Sequence, residues 1–329
     1  MAPSRGQEEE SPSSVDASSS SYPSKVVQTL EAHSGPVNVI KYNHGAKYLL
    51  SGSSDRSIRL WNPTLGKEIK CYNGHAQEVL ALDITHDNSK FASSGGDRAV
   101  FLWDVPTGGV IRRMQGHFGK INAVGFSPDS QVLASAGFDA KVMLWDMRAA
   151  SRDPLQTLKE ATSTVTSLIL PNGSPQIITG SADGFIRTYD LRFGLLTEDL
   201  IGESIVSIRL SPNNPEESIL VATNNDDASE PEGGSKIRIM DRKDGSCLQT
   251  FQGHSVNGKW GMAWGYGEKS IVAGDKDGGL HSWNVLDGRP LPDHPKSIHK
   301  KTITGIEINP KGKEMITCSL DGTIKVWHK

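Results

Sequence analysis

A short apolar segment that ends in an aromatic residue recurs along the chain at a nearly constant interval, and this period restricts the possible folds more than any other feature. Five copies have tryptophan at the marker position, and two further copies, FIRTYDL and KIRIMDR, have Tyr189 and Met240 there. The markers are residues 61, 103, 145, 189, 240, 283 and 327, with spacings of 42 to 51 residues. A period of this length is typical of architectures in which each repeat is one small unit packed against its neighbours.

Each repeat has the pattern of four short β-strands. In the third copy the runs INAVGF, QVLASAG, KVMLWDM and LQTLK are separated by turns rich in Pro, Asp and Ser. Apolar runs of this length between such turns are typical of strands, and no long segment carries a helical period. Seven copies of a four-stranded unit with a period of about 40–45 residues predict an all-β, seven-bladed propeller.

The two ends of the repeat region complement each other. The last copy ends at Lys329, two residues after Trp327, and so leaves no room for a fourth strand. Before the first copy, residues 25–30 (KVVQTL) form an extra strand segment that resembles the fourth strands of other copies, such as LQTLK. We therefore expect residues 25–30 to pair with the final blade and to close the ring, which removes an exposed sheet edge.

The composition divides the chain into a tail and a propeller. Residues 1–24 contain nine serines and the run Glu8-Glu9-Glu10 but few bulky apolar residues, a composition that predicts a disordered tail. Residues 25–329 form the propeller, and an inserted acidic loop at about 224–235 lengthens the fifth copy. The three cysteines are widely spaced and no apolar run reaches membrane-spanning length. These features predict a protein of the cytoplasm and nucleus that has no membrane partner.

Further residues recur at fixed offsets from the marker. A histidine lies near the start of most copies, an aspartate lies six residues before the marker, and a serine or threonine lies four residues before the aspartate. The four complete sets are His33, Ser51, Asp55 and Trp61; His75, Ser93, Asp97 and Trp103; His117, Ser135, Asp139 and Trp145; and His299, Thr317, Asp321 and Trp327.

These sets resemble the WD-repeat family, and the match runs from Lys25 to Lys329. The resemblance implies that each set forms a buried, hydrogen-bonded structural tetrad inside its blade. The sixth copy has His254, Asp277 and Trp283 but Ala273 in place of the hydroxyl residue. The fourth copy lacks the histidine and the tryptophan, and the fifth copy keeps almost none of the set. The fourth and fifth blades are therefore predicted to be the least firmly held.

A grouped serine, histidine and aspartate also occurs in hydrolases. A catalytic set is needed once, however, whereas this set is built four times with the same spacing. The sequence has no glycine-rich phosphate loop, no nucleophile elbow and no zinc-binding helix motif. The hydrolase alternative is therefore disfavoured, and we predict a protein that is not an enzyme and has no catalytic residue, cofactor or metal site.

The turns that carry the histidines and aspartates fall at the same end of every blade. In the WD-repeat family this face often receives peptides near the central channel, so the resemblance implies a partner-binding face here. Phe138 is the most informative position, because the other copies have small residues such as Gly96 or Ala182 in this turn; packing of Phe138 on a neighbouring blade is the alternative. The candidate residues are Arg56, Glu78, Arg98, Lys120, Asn122, Phe138, Lys259, Lys276 and Leu320.

The stretches GGDRAVFLWDVPTGGVIRRMQGHFGKINAVGF and GSADGFIRTYDLRFG resemble one branch of the family more closely. That branch implies a non-catalytic scaffold whose partners are splicing factors or components of a mitogen-activated protein kinase cascade. The chain would then be a monomer within a larger assembly. Direct RNA binding is a further alternative, but a net charge of −3 argues against it, because nucleic-acid binders normally carry a basic excess.

Overall fold

Seven antiparallel sheets, arranged in a ring, make up the described part of the chain. The computed structural model describes residues 23, 25–31, 33–224, 234–254, 256, 258–291, 297–309, 311 and 314–328. The innermost strand of each sheet contacts that of the next sheet, and the last contacts the first, so the ring is closed around a central channel. The predicted seven-bladed propeller is confirmed. The predicted tail, except residue 23, and most of the predicted loop at 224–235 lie outside the described residues.

The chain enters the ring with an outer strand and then builds the blades in sequence order, each from the channel outward. The entering strand is β1 (Lys25–Glu31). Blade one contains β2 (Val37–Tyr42), β3 (Leu49–Ser53), β4 (Ser57–Asn62) and β5 (Lys67–Asn73). Blade two contains β6 (Val79–Ile84), β7 (Lys90–Gly95), β8 (Ala99–Asp104) and β9 (Val110–Gln115). Blade three contains β10 (Ile121–Phe126), β11 (Val132–Gly137), β12 (Val142–Asp146) and β13 (Gln156–Leu158).

The remaining blades follow in the same way. Blade four contains β14 (Val165–Ile169), β15 (Gln176–Ser181), β16 (Phe185–Asp190) and β17 (Leu195–Leu200). Blade five contains β18 (Ser204–Leu210), β19 (Ser218–Asn224), β20 (Lys236–Asp241) and β21 (Cys247–Phe251). Blade six contains β22 (Met262–Trp264), β23 (Ser270–Gly274) and β24 (Leu280–Asn284), with a short 3-10 turn at Tyr266–Glu268. Blade seven contains β25 (Ile303–Ile308), β26 (Glu314–Ser319) and β27 (Thr323–His328).

The ring closes through hydrogen bonding between the two ends of the repeat region. Strand β1 is the outer strand of blade seven and pairs antiparallel with β27, from Lys25 opposite His328 to Glu31 opposite Thr323. The predicted closure by residues 25–30 is therefore confirmed. Blade six differs from the prediction of four strands. In the described residues its sheet has three strands, and a single isolated bridge between Trp283 and Pro290 stands where the fourth strand would be. Proline lacks the backbone N–H that a continuing strand needs.

The core consists of apolar layers between adjacent blades. The layer between blades one and two joins Leu50, Ile58 and Tyr72 to Phe91 and Trp103. The ring of Trp103 stacks on Phe91 at a centroid distance of 5.8 Å, and Tyr72 meets Trp103 edge-on at 6.0 Å. Because each blade is covered on both faces by its neighbours, the middle strands β7 and β8 are buried along almost their whole length.

A bulge in the inner strands links the blades around the channel. Six of the described inner strands skip one residue in their pairing, at the second position in five of them and at the third in β18. In four blades the skipped residue donates a side-chain hydrogen bond to the inner strand of the next blade. These bonds run from Asn38 Nδ2 to the Val79 carbonyl (2.9 Å), Asn122 Nδ2 to Val165 (3.0 Å), Thr166 Oγ1 to Ile205 (2.8 Å) and Thr304 Oγ1 to Val37 (2.5 Å).

Candidate functional site

The repeated histidine, hydroxyl and aspartate residues meet inside their blades. In blade two, His75 Nδ1 lies 2.8 Å from Asp97 Oδ2, and His75 Nε2 lies 2.6 Å from Ser93 Oγ. Trp103 Nε1 donates to the same hydroxyl at 2.8 Å. Because an ionised carboxylate can only accept, Nδ1 of a neutral His75 carries the proton, and Nε2 accepts the Ser93 hydroxyl proton. The four side chains thus form one continuous chain of donors and acceptors.

The other three complete sets have the same geometry. In each, the histidine bridges the aspartate and the hydroxyl, and the tryptophan donates to the hydroxyl. The histidine–aspartate, histidine–hydroxyl and tryptophan–hydroxyl distances are 2.9, 2.8 and 2.9 Å for His33, Asp55, Ser51 and Trp61; 2.9, 2.8 and 2.9 Å for His117, Asp139, Ser135 and Trp145; and 3.1, 2.9 and 3.0 Å for His299, Asp321, Thr317 and Trp327.

Burial and hydrogen bonding set the charge states of these groups. Desolvation lowers the pKa of His299 to about 4 and outweighs the attraction of Asp321, so the imidazole is neutral at pH 7. Burial opposes ionisation of Asp139, but hydrogen bonds from His117 and from backbone N–H groups outweigh it and lower the pKa of the carboxyl group. Ser93 is fully buried, so a substrate cannot reach its hydroxyl. The set therefore holds the blade together rather than presenting a nucleophile.

Blade four replaces its missing histidine with an arginine. Arg187 Nη1 lies 2.9 Å from Asp183 Oδ2 and 2.9 Å from Ser181 Oγ, and Arg187 Nε donates to Glu198 at 2.6 Å. Arg187 is buried, so these bonds compensate a charge that would otherwise be costly to desolvate. The aspartate also accepts the backbone N–H of Thr162 at 2.9 Å.

Blade five uses a different carboxylate for the same purpose. Arg238 makes two parallel bonds to Glu203, both 2.9 Å long. Lys236 Nζ and Thr223 Oγ1 complete the cluster at 3.0 and 2.6 Å. Burial opposes ionisation of Glu203, but the hydrogen bonds from Arg238, Thr223 and Lys236 lower its pKa to about 2. Ion-pair clusters thus stand in blades four and five where the tetrads are missing, and the weaker hold of these two blades stays a prediction.

Blade six corrects a second expectation. His254 is buried against Trp260 and Trp283, yet neither of its ring nitrogens has a hydrogen-bond partner in the described structure. Asp277, assigned to the set by its spacing, is exposed instead. Asp275, at the repeat position that Ser53 occupies in blade one, places a second carboxylate in this turn and accepts from His281 at 3.1 Å. Desolvation lowers the pKa of His254 to about 4.

The end of the ring that carries the histidine and aspartate turns is called the upper face here, and the opposite end is the lower face. Phe138 is 66% exposed on the upper face, so it does not pack on a neighbouring blade. Sequence reasoning missed Phe118, which is 76% exposed and follows His117. The Lys141 ammonium group lies 4.9 Å from the Phe118 ring centroid. Phe118, Phe138 and Lys141, together called the aromatic patch, belong to adjacent turns of blade three.

The other candidate residues divide into exposed and structurally engaged groups. Arg56, Arg98, Lys120 and Lys276 are exposed, whereas Leu320 is half-buried. Lys120 forms a 2.7 Å ion pair with Glu78 of blade two. Asn122 makes one of the inter-blade hydrogen bonds described above, and Lys259 donates a hydrogen bond across the channel to the Leu80 carbonyl at 2.9 Å.

The described residues contain no group of three or more acidic, histidine or cysteine side chains placed to hold a metal ion. Nor do they include a helix with the length and apolarity needed to cross a bilayer. The three cysteines are unpaired, with Cys318 buried and Cys71 and Cys247 exposed.

The closed ring and the repeated tetrads define a WD-repeat β-propeller. The chain matches the family model described as WD domain, G-beta repeat, over residues 24–62, 66–104, 108–146, 152–190, 245–284 and 293–328. The chain therefore belongs to the WD-repeat family. The matched segments leave out residues 191–244, which contain the Glu203–Arg238 cluster of blade five.

Curated relatives share nearly the whole chain. It is 38% identical over 309 residues to WD repeat domain-containing protein 83 of Rattus norvegicus, which covers 93% of each chain. It is 32% identical over 331 residues to the WD repeat domain-containing protein 83 homolog of Dictyostelium discoideum, which covers 92% of this chain and 97% of the relative. A more distant relative is the target of rapamycin complex subunit wat1 of Schizosaccharomyces pombe, 25% identical over 185 residues and covering 55% of this chain and 56% of the relative.

Proposed function

We propose that this protein is a non-catalytic scaffold that binds other proteins through the upper face of its ring. The exposed aromatic patch carries this proposal, because large aromatic side chains that protrude into solvent are typical anchors of protein interfaces. Phe118 and Phe138 leave 76% and 66% of their surfaces accessible. The serine hydroxyls of the tetrads, which would be needed for a hydrolase, are buried instead.

The charge around the patch defines the kind of partner segment. Lys141 lies over Phe118, and Arg98 and Lys120 are exposed on the same face. Glu78 pairs with Lys120, and the carboxylates of Asp97 and Asp139 lie in the same turns, so the surround carries charges of both signs. A segment with an apolar or aromatic anchor flanked by both acidic and basic residues would complement it, because opposite potentials favour encounter and orientation.

We place this scaffold in pre-mRNA splicing complexes, in a mitogen-activated protein kinase cascade, or in both, with the protein present in the nucleus and the cytoplasm. The support is the resemblance of GSADGFIRTYDLRFG and neighbouring segments to the WD-repeat scaffold called the mitogen-activated protein kinase organizer. One relative is also named as a subunit of the target of rapamycin complex. These assignments rest on similarity, whereas the choice of the upper face rests on the exposed residues.

The experiment is affinity purification of the full chain from nuclear and cytoplasmic extracts, with a Phe118→Ala/Phe138→Ala double variant beside it. We expect splicing factors from nuclear extract, kinase-cascade components from cytoplasmic extract, and loss of both with the double variant. Leu286→Ala is the matched control, because Leu286 is 92% exposed but lies away from the upper-face turns. Retention of every partner by the double variant would refute the assignment of the upper face.

A further inference from the structure

The outer strands of the blades form the rim of the propeller. Five of the six described outer strands have an irregular or short edge, and the sixth does not. Strands β1, β5, β9 and β21 each contain a bulge where the pairing register shifts. Strand β13 is only three residues long. Bulges and short lengths disrupt an edge and protect it from pairing with another chain. Five of these outer strands therefore have a protective feature.

Strand β17 of blade four lacks both features. It pairs with β16 over six consecutive residues without a register shift, from Phe185 opposite Leu200 to Asp190 opposite Leu195. Its sequence LLTEDL also contains no lysine or arginine, whereas β5 and β9 carry two basic residues each. Edge lysines are a common device against unwanted strand pairing. Within the described part of the rim, β17 is thus the one long, regular and unprotected edge.

Three of the six side chains of β17 are leucines, and all three are exposed. Leu195 and Leu200, at its two ends, are 63% and 66% exposed, and Phe193 in the preceding turn is 73% exposed. The middle of the strand carries Glu198 and Asp199. Glu198 accepts a hydrogen bond from the buried Arg187, whereas Asp199 has no cationic partner in the described structure.

We propose that β17 is a docking edge for an extended segment of a partner protein, which adds to blade four as a fifth strand. Backbone hydrogen bonds to the free edge would supply the pairing, and alternate side chains would supply specificity. On one face of the sheet an apolar side chain of that segment contacts Leu200 and a basic one lies opposite Glu198; on the other face an apolar side chain contacts Leu195 and a basic one lies opposite Asp199.

Charge complementarity selects this occupant over a second copy of the chain. An antiparallel pair of two β17 strands would bring Glu198 and Asp199 of both copies into one small area, with no lysine or arginine on either strand to offset them. Like charges on facing strands destabilise the pairing. The docking edge is on the rim, separate from the aromatic patch of the upper face, so it stands or falls independently of the function proposed above.

The test uses the full chain and a short, end-blocked synthetic peptide, Val-Lys-Lys-Thr-Val-Val, labelled for fluorescence anisotropy; in antiparallel pairing its valines lie opposite the leucines of β17 and its lysines opposite Glu198 and Asp199. We expect binding and slower amide hydrogen exchange at residues 195–200. In a Leu195→Lys/Leu200→Lys variant the affinity for the peptide should fall by about tenfold or by a larger factor, because the leucines no longer contribute apolar contact. The control variant Leu248→Lys changes a leucine that is 54% exposed on the bulged strand β21, and it should bind like the unaltered chain.

A second peptide, with alternate backbone amides N-methylated, cannot complete strand pairing and should not bind. Equal binding of the methylated peptide would overturn the strand-addition geometry, and equal weakening by Leu248→Lys would overturn the assignment to β17. Concentration-dependent dimerisation in sedimentation experiments, with residues 195–200 protected in the absence of peptide, would assign the edge to a second copy and overturn the proposed occupant. Absence of both peptide binding and protection would refute the docking edge altogether.

Discussion

Substitution of Ser93 by alanine tests the structural interpretation of the tetrads. The Ser93 hydroxyl accepts the Trp103 indole N–H and donates to His75, and all three side chains are buried. Ser93→Ala would leave two buried polar groups without partners, at a cost of about 1–3 kcal/mol for each, or about 2–6 kcal/mol together. With an unfolding entropy of about 2.1 cal/mol/K per residue, a chain of 329 residues loses about 1.5 °C of melting temperature for each kcal/mol, so we expect a decrease of about 3–9 °C.

The assay is a thermal melt together with hydrogen exchange of blade two. Ser94→Ala is a close control, because Ser94 is equally buried in the same strand but its hydroxyl makes only one long bond, 3.5 Å, to the Ile121 carbonyl. Ser94→Ala should lower the melting temperature much less. If Ser93→Ala melted like the unaltered chain, the tetrad would not hold the blade, and the hydrolase alternative would regain support.

The same reasoning predicts the reverse effect in blade six. Ala273 lies at the repeat position of Ser93, and the ring nitrogens of His254 lack partners there. Ala273→Ser would supply the missing hydroxyl and should raise the melting temperature. An unchanged or lower melting temperature would show that the carboxylate of Asp275, rather than the absent hydroxyl, determines the arrangement in this blade.

Two further predictions concern closure and acid stability. Deletion of residues 2–31 should lower the melting temperature of the whole ring, because it removes the pairing of β1 with β27; deletion of residues 2–22 should not, and equal melting of both would contradict the closure. Glu203→Gln should destabilise blade five at pH 7. The folded pKa of Glu203, about 2, lies below its ordinary value of 4.5, so the stability from its carboxylate is present above pH 4.5 and is lost as the pH falls toward 2. The difference in melting temperature between Glu203→Gln and the unaltered chain should therefore narrow with acidification over this range.

The features predicted correctly from the sequence are those that repeat. The marker spacing predicted the number of blades, and the extra strand segment at residues 25–30 predicted the closure. Both predictions were possible because each feature could be compared with the matching positions of several other copies. The four full sets meet as their spacing implies, since His, Ser and Asp lie on consecutive inner elements of one blade. Repetition thus substitutes for structural information wherever one blade resembles the next.

The features missed are those in which one blade departs from the others. Arg187 and Arg238 both lie two residues before the marker and take over the role of the missing histidine. Arg59 occupies the same position in blade one, which has a full tetrad, and pairs with Glu68 instead. The residue type therefore did not distinguish a compensating arginine from an outward-facing one. Phe118 gave a clearer signal, since the corresponding positions in blades one and two hold Ser34 and Ala76. Asp277 is exposed while Asp275, two residues earlier, bonds to His281, and spacing alone does not show which of two nearby carboxylates turns inward.

The pairing of Lys25 with His328 has a practical consequence for labelling this protein or attaching it to a surface. Both residues lie at the end of blade seven remote from the Asp321 turn, and thus at the lower face. A reporter or surface tether joined at either position would hold the ring with its aromatic patch pointing away from the attachment. Immobilised in this orientation, the upper face would remain open to soluble partners, and a donor and an acceptor dye placed at residues 25 and 328 would report whether the ring is open or shut.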